Sequence, residues 1–259
     1  MITSVQNAQV KALQKRMKSS KLRNEDKLFL VEGMKMVSEA LRYSTVQQIY
    51  VSETFEGQEK FHVDVPVEIL SDAVFKQVSD TVTPQGILAV VKMPEYSIEL
   101  ILKKEKLRLV LLENLQDPGN MGTIIRTAEG AGMDGIILGE GCVDLFAPKV
   151  VRATMGSLFR VPFYHAASFQ NMLGQLQENG IKIIATDLQA IEHYRGIDYT
   201  KRCGIVIGNE SKGITKETRD RADQLVIIPM EGEVESLNAS VAASLMMYES
   251  YWAGLPDSC

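Results

Sequence analysis

Residues 205–214 read Ile-Val-Ile-Gly-Asn-Glu-Ser-Lys-Gly-Ile, an apolar strand that runs directly into a turn of glycines and polar side chains. Similar turns follow apolar runs within 113–128 and 226–242. In this half of the chain, short β-rich runs alternate with helical segments, which predicts a parallel sheet with helices on both faces. The ligand site of such a sheet lies beyond the carboxyl ends of its strands, where these three turns fall.

The carboxyl-terminal half is predicted to form one domain over residues 107–259, with a last helix from about Asn238. Apolar side chains recur along that helix at spacings of four, three and four residues, which is typical of a face buried in a core or a subunit interface. These side chains are Val241, Leu245, Tyr248 and Trp252. Strands are predicted at 107–112, 135–138, 181–186, 204–207 and 224–228.

The amino-terminal part is predicted to form a smaller α/β domain over residues 1–95. A charged stretch ahead of the apolar run at Leu107 predicts a linker over 96–106. The whole chain is therefore expected to be an α/β protein of two domains. In the first domain, helices are predicted at the basic amino terminus, 29–42 and 72–78, and strands at 48–52 and 86–92.

Positive charge is concentrated at the amino terminus, although the 259-residue chain has a net charge of −5. Six basic side chains occur before the first acidic one. Taken alone, such a run is more typical of a solvated helix face than of a phosphate-binding surface. The basic run becomes informative only together with the motifs of the carboxyl-terminal half. The six residues are Lys11, Lys15, Arg16, Lys18, Lys21 and Arg23.

The sequence gives no support for metal, disulfide or membrane chemistry. Cys142, Cys203 and Cys259 are far apart and odd in number, which predicts reduced, inert thiols. The three histidines are equally scattered, so no metal site is predicted. The apolar runs are too short to cross a bilayer, which predicts a soluble cytoplasmic protein without a membrane partner.

The first turn contains Asp-Pro-Gly followed by Asn120, which is expected to cap the next helix. Arg126 falls roughly one and a half turns into that helix and is expected near the same face. Helix capping and a surface ion pair would explain both residues without a ligand. The first turn alone therefore leaves a structural role and a functional role open.

The other two turns also bring polar side chains to strand ends. Glu210 can anchor a cationic or hydroxyl group, while Lys212-Gly213 has the reverse of the Gly-Lys order of a nucleotide phosphate loop. Ser236 or Asn238 is expected to open the last helix. Tight turns and capping explain each segment singly. They do not explain why three such turns recur in one half of the chain.

Taken together, the three turns resemble the motifs of the SpoU family of RNA ribose 2′-O-methyltransferases, the TrmH-like branch of the knotted SPOUT superfamily. The motifs occur in order over residues 113–242 as Asp-Pro-x-Asn-x-Gly-x-x-x-Arg-Thr-Ala, Ile-Gly-Asn-Glu-x-x-Gly and Ile-Pro-Met-x-Gly-x-x-x-Ser-Leu-Asn-x-Ser-Val-Ala. In addition, Asn7, the basic helix and the run Phe-Leu-Val-Glu-Gly at 29–33 resemble the L30e-like substrate-binding domain of many family members.

The resemblance implies a parallel sheet with a deep trefoil knot and S-adenosylmethionine as methyl donor. Gly208, Ile228 and Leu237 would contact the donor. Arg126 would bind phosphate or the developing oxyanion, because arginine is almost always protonated. The polar residues that would orient this arginine, the ribose hydroxyl and the donor are Asn120, Glu210, Ser236 and Asn238.

The partners implied by the resemblance are structured RNA and a second copy of the chain, bound through the knotted domain. Ribosomal RNA is the expected substrate, because the L30e-like domain resembles that of ribosomal RNA modifiers. Transfer RNA methylation, base methylation and a non-catalytic ribosome-assembly factor stay open as alternatives. A dinucleotide enzyme is disfavoured, since no Gly-x-Gly-x-x-Gly turn follows an early strand.

Overall fold

The fold is described for residues 1–57 and 64–255 in a computed structural model. His62 and Cys259, two of the residues weighed as metal or disulfide ligands, lie outside the described residues. The α-helices of the described chain are α1 (Ala8–Lys18), α2 (Ser20–Asp26), α3 (Met34–Tyr43), α4 (Asp72–Val78), α5 (Ile98–Leu102), α6 (Pro118–Gly130), α7 (Pro148–Ala153), α8 (Phe169–Glu178), α9 (Lys216–Arg221) and α10 (Ala239–Ala253).

The strands form two separate sheets, one in each of two compact units. The first unit comprises Met1–Glu95 with Asp144–Arg160, and the second comprises Tyr96–Val143 with the chain from Val161 onward. The strands are β1 (Leu28–Glu32), β2 (Val46–Ser52), β3 (Val67–Leu70), β4 (Ile87–Lys92), β5 (Arg108–Leu112), β6 (Gly135–Leu138), β7 (Phe163–His165), β8 (Lys182–Thr186), β9 (Cys203–Ile207) and β10 (Gln224–Val226).

The first unit is built on a four-stranded sheet in the order β1-β4-β2-β3. Strand β4 pairs antiparallel with β1 and β2, while β2 and β3 are parallel. On one face of the sheet, Leu30 packs with Val10 and Leu13 of α1 and with Phe75 of α4. Alternate strand residues point to opposite faces, so Phe29 supports the other face.

A helix predicted over 29–42 is wrong for its first four residues, which belong to β1. Phe29 to Glu32 are all buried, because β1 is covered on both faces and paired with β4. A short apolar run of this kind has no periodicity that separates strand from helix. Gly33 then ends the strand with φ of 93°, in the left-handed region that favours glycine, and α3 begins at Met34.

The segment Asp144–Arg160 packs with the first unit, although its neighbours on both sides along the chain belong to the second. Phe29 of β1 meets Phe146 and Phe159 of this segment, with ring centroids 4.8 and 6.1 Å apart. The sequence contains no signal that residues 144–160 pack with the first unit. The predicted domain boundaries 1–95 and 107–259 therefore assign this segment to the second domain. The apolar face of β1 opposite α1 is thereby covered by residues from far along the chain.

The second unit is built on a six-stranded, all-parallel sheet in the order β10-β8-β9-β5-β6-β7. Its central strands β5 and β9 are buried along almost their whole length, as expected for a sheet covered on both faces. The ends of β5 and β9 lie side by side, with Leu112 opposite Ile207. The turns that follow these strands therefore start at the same edge of the sheet.

Two further features differ from the sequence-based expectations. The predicted linker 96–106 contains α5, whose Ile101 is buried in the core of the second unit. The short edge strand β7 was not predicted.

Helix α10 packs against α6 and β9, and its buried side includes Ala243, Met246 and Met247.

Candidate functional site

The turn after β9 is a rigid loop that leaves no room for a side chain at Gly208. A Cβ atom on Gly208 would lie 2.3 Å from the carbonyl carbon of Gly213 and 2.4 Å from the nitrogen of Ile214. Asn209 and Gly213 close the loop with two backbone hydrogen bonds of 2.9 Å. The side chain of Asn209 donates to the Asn114 carbonyl at 2.9 Å, which ties this turn to the one after β5.

Glu210 accepts hydrogen bonds from the turn that opens α6. Its carboxylate receives the backbone N–H groups of Asp117 at 2.9 Å and Gln116 at 3.2 Å, and the side-chain amide of Asn120 at 3.2 Å. Burial opposes ionisation of Glu210, but these hydrogen bonds outweigh it and hold the pKa of the carboxyl below its ordinary value. Glu210 therefore carries a negative charge at neutral pH.

A chain of hydrogen bonds continues from Glu210 to the last helix. Asn120, which is buried, accepts from the side-chain amide of Asn238 at 2.9 Å. The Oδ1 atom of Asn238 in turn accepts the backbone N–H of Ser240 at 2.9 Å and caps α10. The structure thus brings together Asn120, Glu210 and Asn238, three predicted site residues from three separate motifs.

The expected local role of Asn120 is wrong. Asp117 caps α6, accepting the N–H of Asn120 at 2.8 Å, and Pro118 occupies the first helical turn. Asn120 is already inside the helix and faces the protein interior. Arg126, six residues later, is exposed, so the two side chains do not share a face of α6. Within the described part of the chain, the Arg126 guanidinium has no hydrogen bond or ion pair.

A cavity of about 320 Å³ lies at the carboxyl edge of the parallel sheet. It is lined by all three predicted donor-binding residues, Gly208, Ile228 and Leu237, and also by Glu210 and Ser236. Leu237 and Ile228 are half-buried, whereas Ser236 is exposed. The lining therefore combines apolar and polar side chains, as is typical of a small-molecule site.

The sequence did not identify three further residues that line this cavity. Asp187 follows β8 directly and is buried; its carboxylate accepts from Arg219 Nε and from the backbone N–H of Gln189, both at 2.7 Å. Arg219 also donates to the Gln189 side chain at 3.1 Å. An acidic residue at the end of a buried strand, on the edge where the motifs meet, was the available signal.

The predicted RNA-binding residues of the first unit fall into two groups. Lys11, Lys15 and Lys18 are exposed on α1 and line one shallow groove. Lys21 is also exposed, 3.8 Å from Glu25. The other two residues are the arginines Arg16 and Arg23.

The structure contradicts the expectation that these two arginines face the RNA. Arg23 is 4% exposed, ion-paired with Asp144, and donates to the carbonyls of Arg16 and Met17. Arg16 is paired with Asp26 at 2.6 Å, and only 11% of its side chain is exposed. Buried, paired guanidinium groups hold the fold together and have no free surface for phosphate.

Thiol and membrane features of the described residues are simple. Cys142 and Cys203 are free thiols, and burial raises the pKa of both, to about 12 for Cys203. Over 1–57 and 64–255, no cluster of three or more His, Cys, Asp or Glu side chains has metal-binding geometry. No helix in those ranges is long and apolar enough to cross a membrane.

The six-stranded parallel sheet, with three polar turns that meet at one cavity, matches the fold of SPOUT methyltransferases, and protein-family models identify the family. Residues 107–248 match the SpoU rRNA Methylase family, and residues 7–89 match the MRM3-like substrate binding domain. The chain belongs to the SpoU rRNA methylase family. The predicted family, fold class and enzyme class are thereby confirmed.

Three similar proteins illustrate the match. The chain is 34% identical to the 23S rRNA (guanosine(2553)-2′-O)-methyltransferase RlmP of Bacillus subtilis, covering 95% of this chain and 97% of that protein. An AdoMet-bound rRNA methyltransferase from Sinorhizobium meliloti superposes with a TM-score of 0.89, 30% identity and 98% coverage of each chain. A TrmH/SpoU tRNA modifying enzyme from A. aeolicus gives 0.51, 27% identity, and covers 59% and 78%.

Proposed function

We propose that this protein transfers a methyl group from S-adenosylmethionine to a ribose 2′-hydroxyl of ribosomal RNA. The observation that carries the proposal is the meeting of three motif segments at one cavity, through Glu210, Asn120 and Asn238. The RlmP relative, similar over nearly its full length, is a 23S rRNA 2′-O-methyltransferase by name. The tRNA modifying relative covers only 59% of the chain, which favours ribosomal over transfer RNA.

The cavity at the sheet edge fits the methyl donor. Ile228 and Leu237 offer apolar surface for an adenine ring, while the bare backbone of Gly208 allows close approach. The donor supplies an electrophilic methyl group when bound. The roles of these three residues in donor binding are part of the proposal.

Glu210 acts as a positioning residue in this proposal. Its carboxylate already accepts three hydrogen bonds, and its pKa is lowered, so it is a weak proton acceptor. Its contacts orient Asn120, which holds Asn238 at the start of α10. Ser236 lines the cavity and is exposed, so its hydroxyl is open to an entering ribose.

Arg126 is assigned to the RNA. A ribose hydroxyl must be held in line with the methyl carbon and must lose its proton, and a guanidinium can bind the adjacent phosphate or the developing oxyanion. Arg126 is exposed and without a partner among the described residues of one chain. The Arg126 guanidinium can therefore donate hydrogen bonds to the RNA.

A homodimer completes the proposal. The exposed side of α10 carries Val241, Leu245, Tyr248 and Trp252, which are 38 to 60% exposed. They border a groove that also includes Thr123 of α6, the helix that carries Arg126. A second copy that covers this groove would bring Arg126 next to the partner's site and bury apolar surface.

The lysines of α1 supply a phosphate-binding surface on the first unit. Lys11, Lys15, Lys18 and Lys21 are retained, whereas Arg16 and Arg23 are left out because they are paired within the fold. Clustered lysines bind the RNA backbone without reading sequence. The proposed setting of the reaction is the cytoplasm.

The test is transfer of labelled methyl from S-adenosylmethionine to unmodified transcripts of 23S rRNA, 16S rRNA and transfer RNA, followed by digestion to nucleosides. Label in a 2′-O-methylnucleoside from ribosomal RNA is expected. Label only in transfer RNA, or in a methylated base, contradicts the proposal. Donor binding with no transfer to any RNA favours the assembly factor. The Arg126→Ala variant should bind donor normally and lose most of the transfer rate.

A further inference from the structure

Tyr43, the last residue of α3, is a large aromatic side chain on the surface of the first unit. The residue is 46% exposed, and two guanidinium groups lie beside its ring. The Arg160 guanidinium carbon is 5.0 Å from the ring centroid, and that of Arg42 is 5.9 Å away. These three residues are called the Tyr43 cluster below. Both distances are within the range of cation–π contacts.

The Tyr43 cluster is held in place from both sides. Helix α3 is anchored by Met36, Val37 and Ala40, which are buried against the sheet. Arg160 is ion-paired with Glu39, one turn before Tyr43 on the same helix. A planar ring and a planar guanidinium are thus presented with little freedom to rearrange, which lowers the entropic cost of binding.

The cluster lies on the opposite side of the sheet from the lysine helix. Leu30 of β1 packs with α1, whereas its neighbour Phe29 contacts Phe146 and Phe159 of the segment that ends at Arg160. Since neighbouring strand residues point to opposite faces, α1 and this segment cover different faces. An RNA that uses both the lysines and Tyr43 must pass around the edge of the unit.

We propose that the Tyr43 cluster stacks an unpaired nucleobase of the RNA substrate. This inference rests on the proposed function, because it takes RNA as the substrate. Proteins recognise RNA mainly at unpaired bases, which stack on exposed aromatic rings and arginine planes. The Tyr43 ring offers the aromatic surface, the positive charge of the exposed Arg42 suits the adjacent phosphates, and the unit that carries them matches a substrate-binding domain.

The test compares RNA affinity of three full-length variants by filter binding to transcribed 23S rRNA at several salt concentrations. Tyr43→Leu keeps apolar bulk but removes the π face, and should weaken binding roughly tenfold. Tyr43→Phe keeps the π face and should bind within about twofold of the unaltered protein. Val82→Ala, at a side chain 94% exposed in the same unit, is the matched control and should have no effect.

Salt dependence separates stacking from charge. Tyr43→Leu should leave the slope of log affinity against log salt unchanged, while Arg42→Gln should reduce it by about one phosphate contact. Affinity for S-adenosylhomocysteine, unchanged in each variant, shows that the second unit is intact. Ultraviolet crosslinking of the unaltered protein should place RNA on the peptide that contains Tyr43.

Two results would overturn the inference. Equal affinity of Tyr43→Leu and the unaltered protein, with no crosslink at Tyr43, rules out a base at this site. Equal weakening by Leu and Phe shows that the hydroxyl, and not the π face, makes the contact. If the unaltered protein binds no RNA at all, the proposed function itself fails, and this outcome is distinct from the other two.

Discussion

Glu210 determines which way two side-chain amides of the site point. A carboxylate only accepts hydrogen bonds, so the Asn120 group that faces it at 3.2 Å must be the NH₂. The Asn120 oxygen is then turned to Asn238, whose NH₂ it accepts at 2.9 Å. This leaves the Asn238 oxygen for the amino end of α10. The negative charge of Glu210 thus fixes the orientation of two amides that connect the three motifs.

Glu210→Gln should lower stability by about 1–3 kcal/mol at neutral pH, because an NH₂ group would face N–H donors. The folded-state pKa of Glu210 is depressed, so its stabilising effect is present above its ordinary pKa of 4.5 and is lost as pH falls through the lowered value. Urea midpoints of the two proteins should differ at neutral pH and converge in acid. Glu178→Gln, at an exposed residue of α8, is the control and should have the same urea midpoint as the unaltered protein at neutral pH.

Gly208→Ala should weaken donor binding strongly. The added Cβ would lie within 2.5 Å of backbone atoms of Gly213 and Ile214, so the loop that forms one wall of the cavity must move. Calorimetric titration with S-adenosylhomocysteine should show affinity at least roughly tenfold weaker. Gly196→Ala adds a methyl where nothing lies within 4 Å, and should bind normally. Normal binding by Gly208→Ala would remove the cavity from the proposed donor site.

For single residues, the spacing within the motifs predicted which side chains meet at the site. Burial that depends on packing between distant parts of the chain could not be predicted. Glu210, Asn120 and Asn238 were predicted from motifs and do meet. Arg23 was indistinguishable from the lysines of its run, because its partner Asp144 lies 121 residues away. Nothing local to a basic run reveals which of its members is buried.

Helix α10 has apolar residues on nearly all sides, but one of its faces is buried within the described chain and another is exposed. Met246 and Met247 are completely buried, while Trp252 is 60% exposed and Val241 is 47% exposed. A helix that is apolar all round is expected to be buried all round. The sequence therefore indicated that the second apolar face of α10 is also covered. It did not indicate whether the same chain or another chain covers it.

Leu245→Lys should convert the proposed dimer into a monomer. Leu245 sits in the middle of the exposed apolar stripe, and a charge there would have to be desolvated without a partner in the interface. Analytical ultracentrifugation at micromolar concentration is the measurement. Val82→Lys places the same charge on an exposed apolar residue of the first unit and should leave the mass unchanged. A monomeric unaltered protein would refute the dimer directly.

At the scale of the element, the sheet of the second unit was predictable, and β1 of the first was not. Five of the six strands of the parallel sheet are distinct apolar runs bounded by polar turns, a pattern that is local, whereas the short edge strand β7 has no such signal. In contrast, β1 runs into α3 through Gly33 alone. Only pairing with β4, some sixty residues later, makes Leu28–Glu32 a strand.

The whole molecule depends on the segment Asp144–Arg160, which supplies three ion pairs to the first unit. Asp144 pairs with Arg23, Arg152 with Asp80 at 2.7 Å, and Arg160 with Glu39. The first pair is the most buried, with 4% of the Arg23 side chain exposed. Removing one partner of a buried pair leaves an uncompensated charge, which costs far more than losing a surface pair.

Asp144→Ala should therefore destabilise the first unit by about 3–5 kcal/mol. Urea unfolding followed by a probe in each unit should show an earlier transition for the first unit. Glu25→Ala breaks the exposed pair with Lys21, whose side chains are 86% and 59% exposed, and should change stability by less than about 1 kcal/mol. Equal effects of the two substitutions would mean that Arg23 is hydrated in solution.

The same segment limits how this protein can exchange parts with its relatives. A recombination event that replaces residues 1–95 as one block would install a new β1 and a new Arg23 position against the old Asp144–Arg160. The aromatic contacts of Phe29 and the buried charge would then be mismatched. The unit of inheritance for substrate binding is thus two stretches of sequence separated by 48 residues, Tyr96–Val143, and functional chimaeras should carry both together.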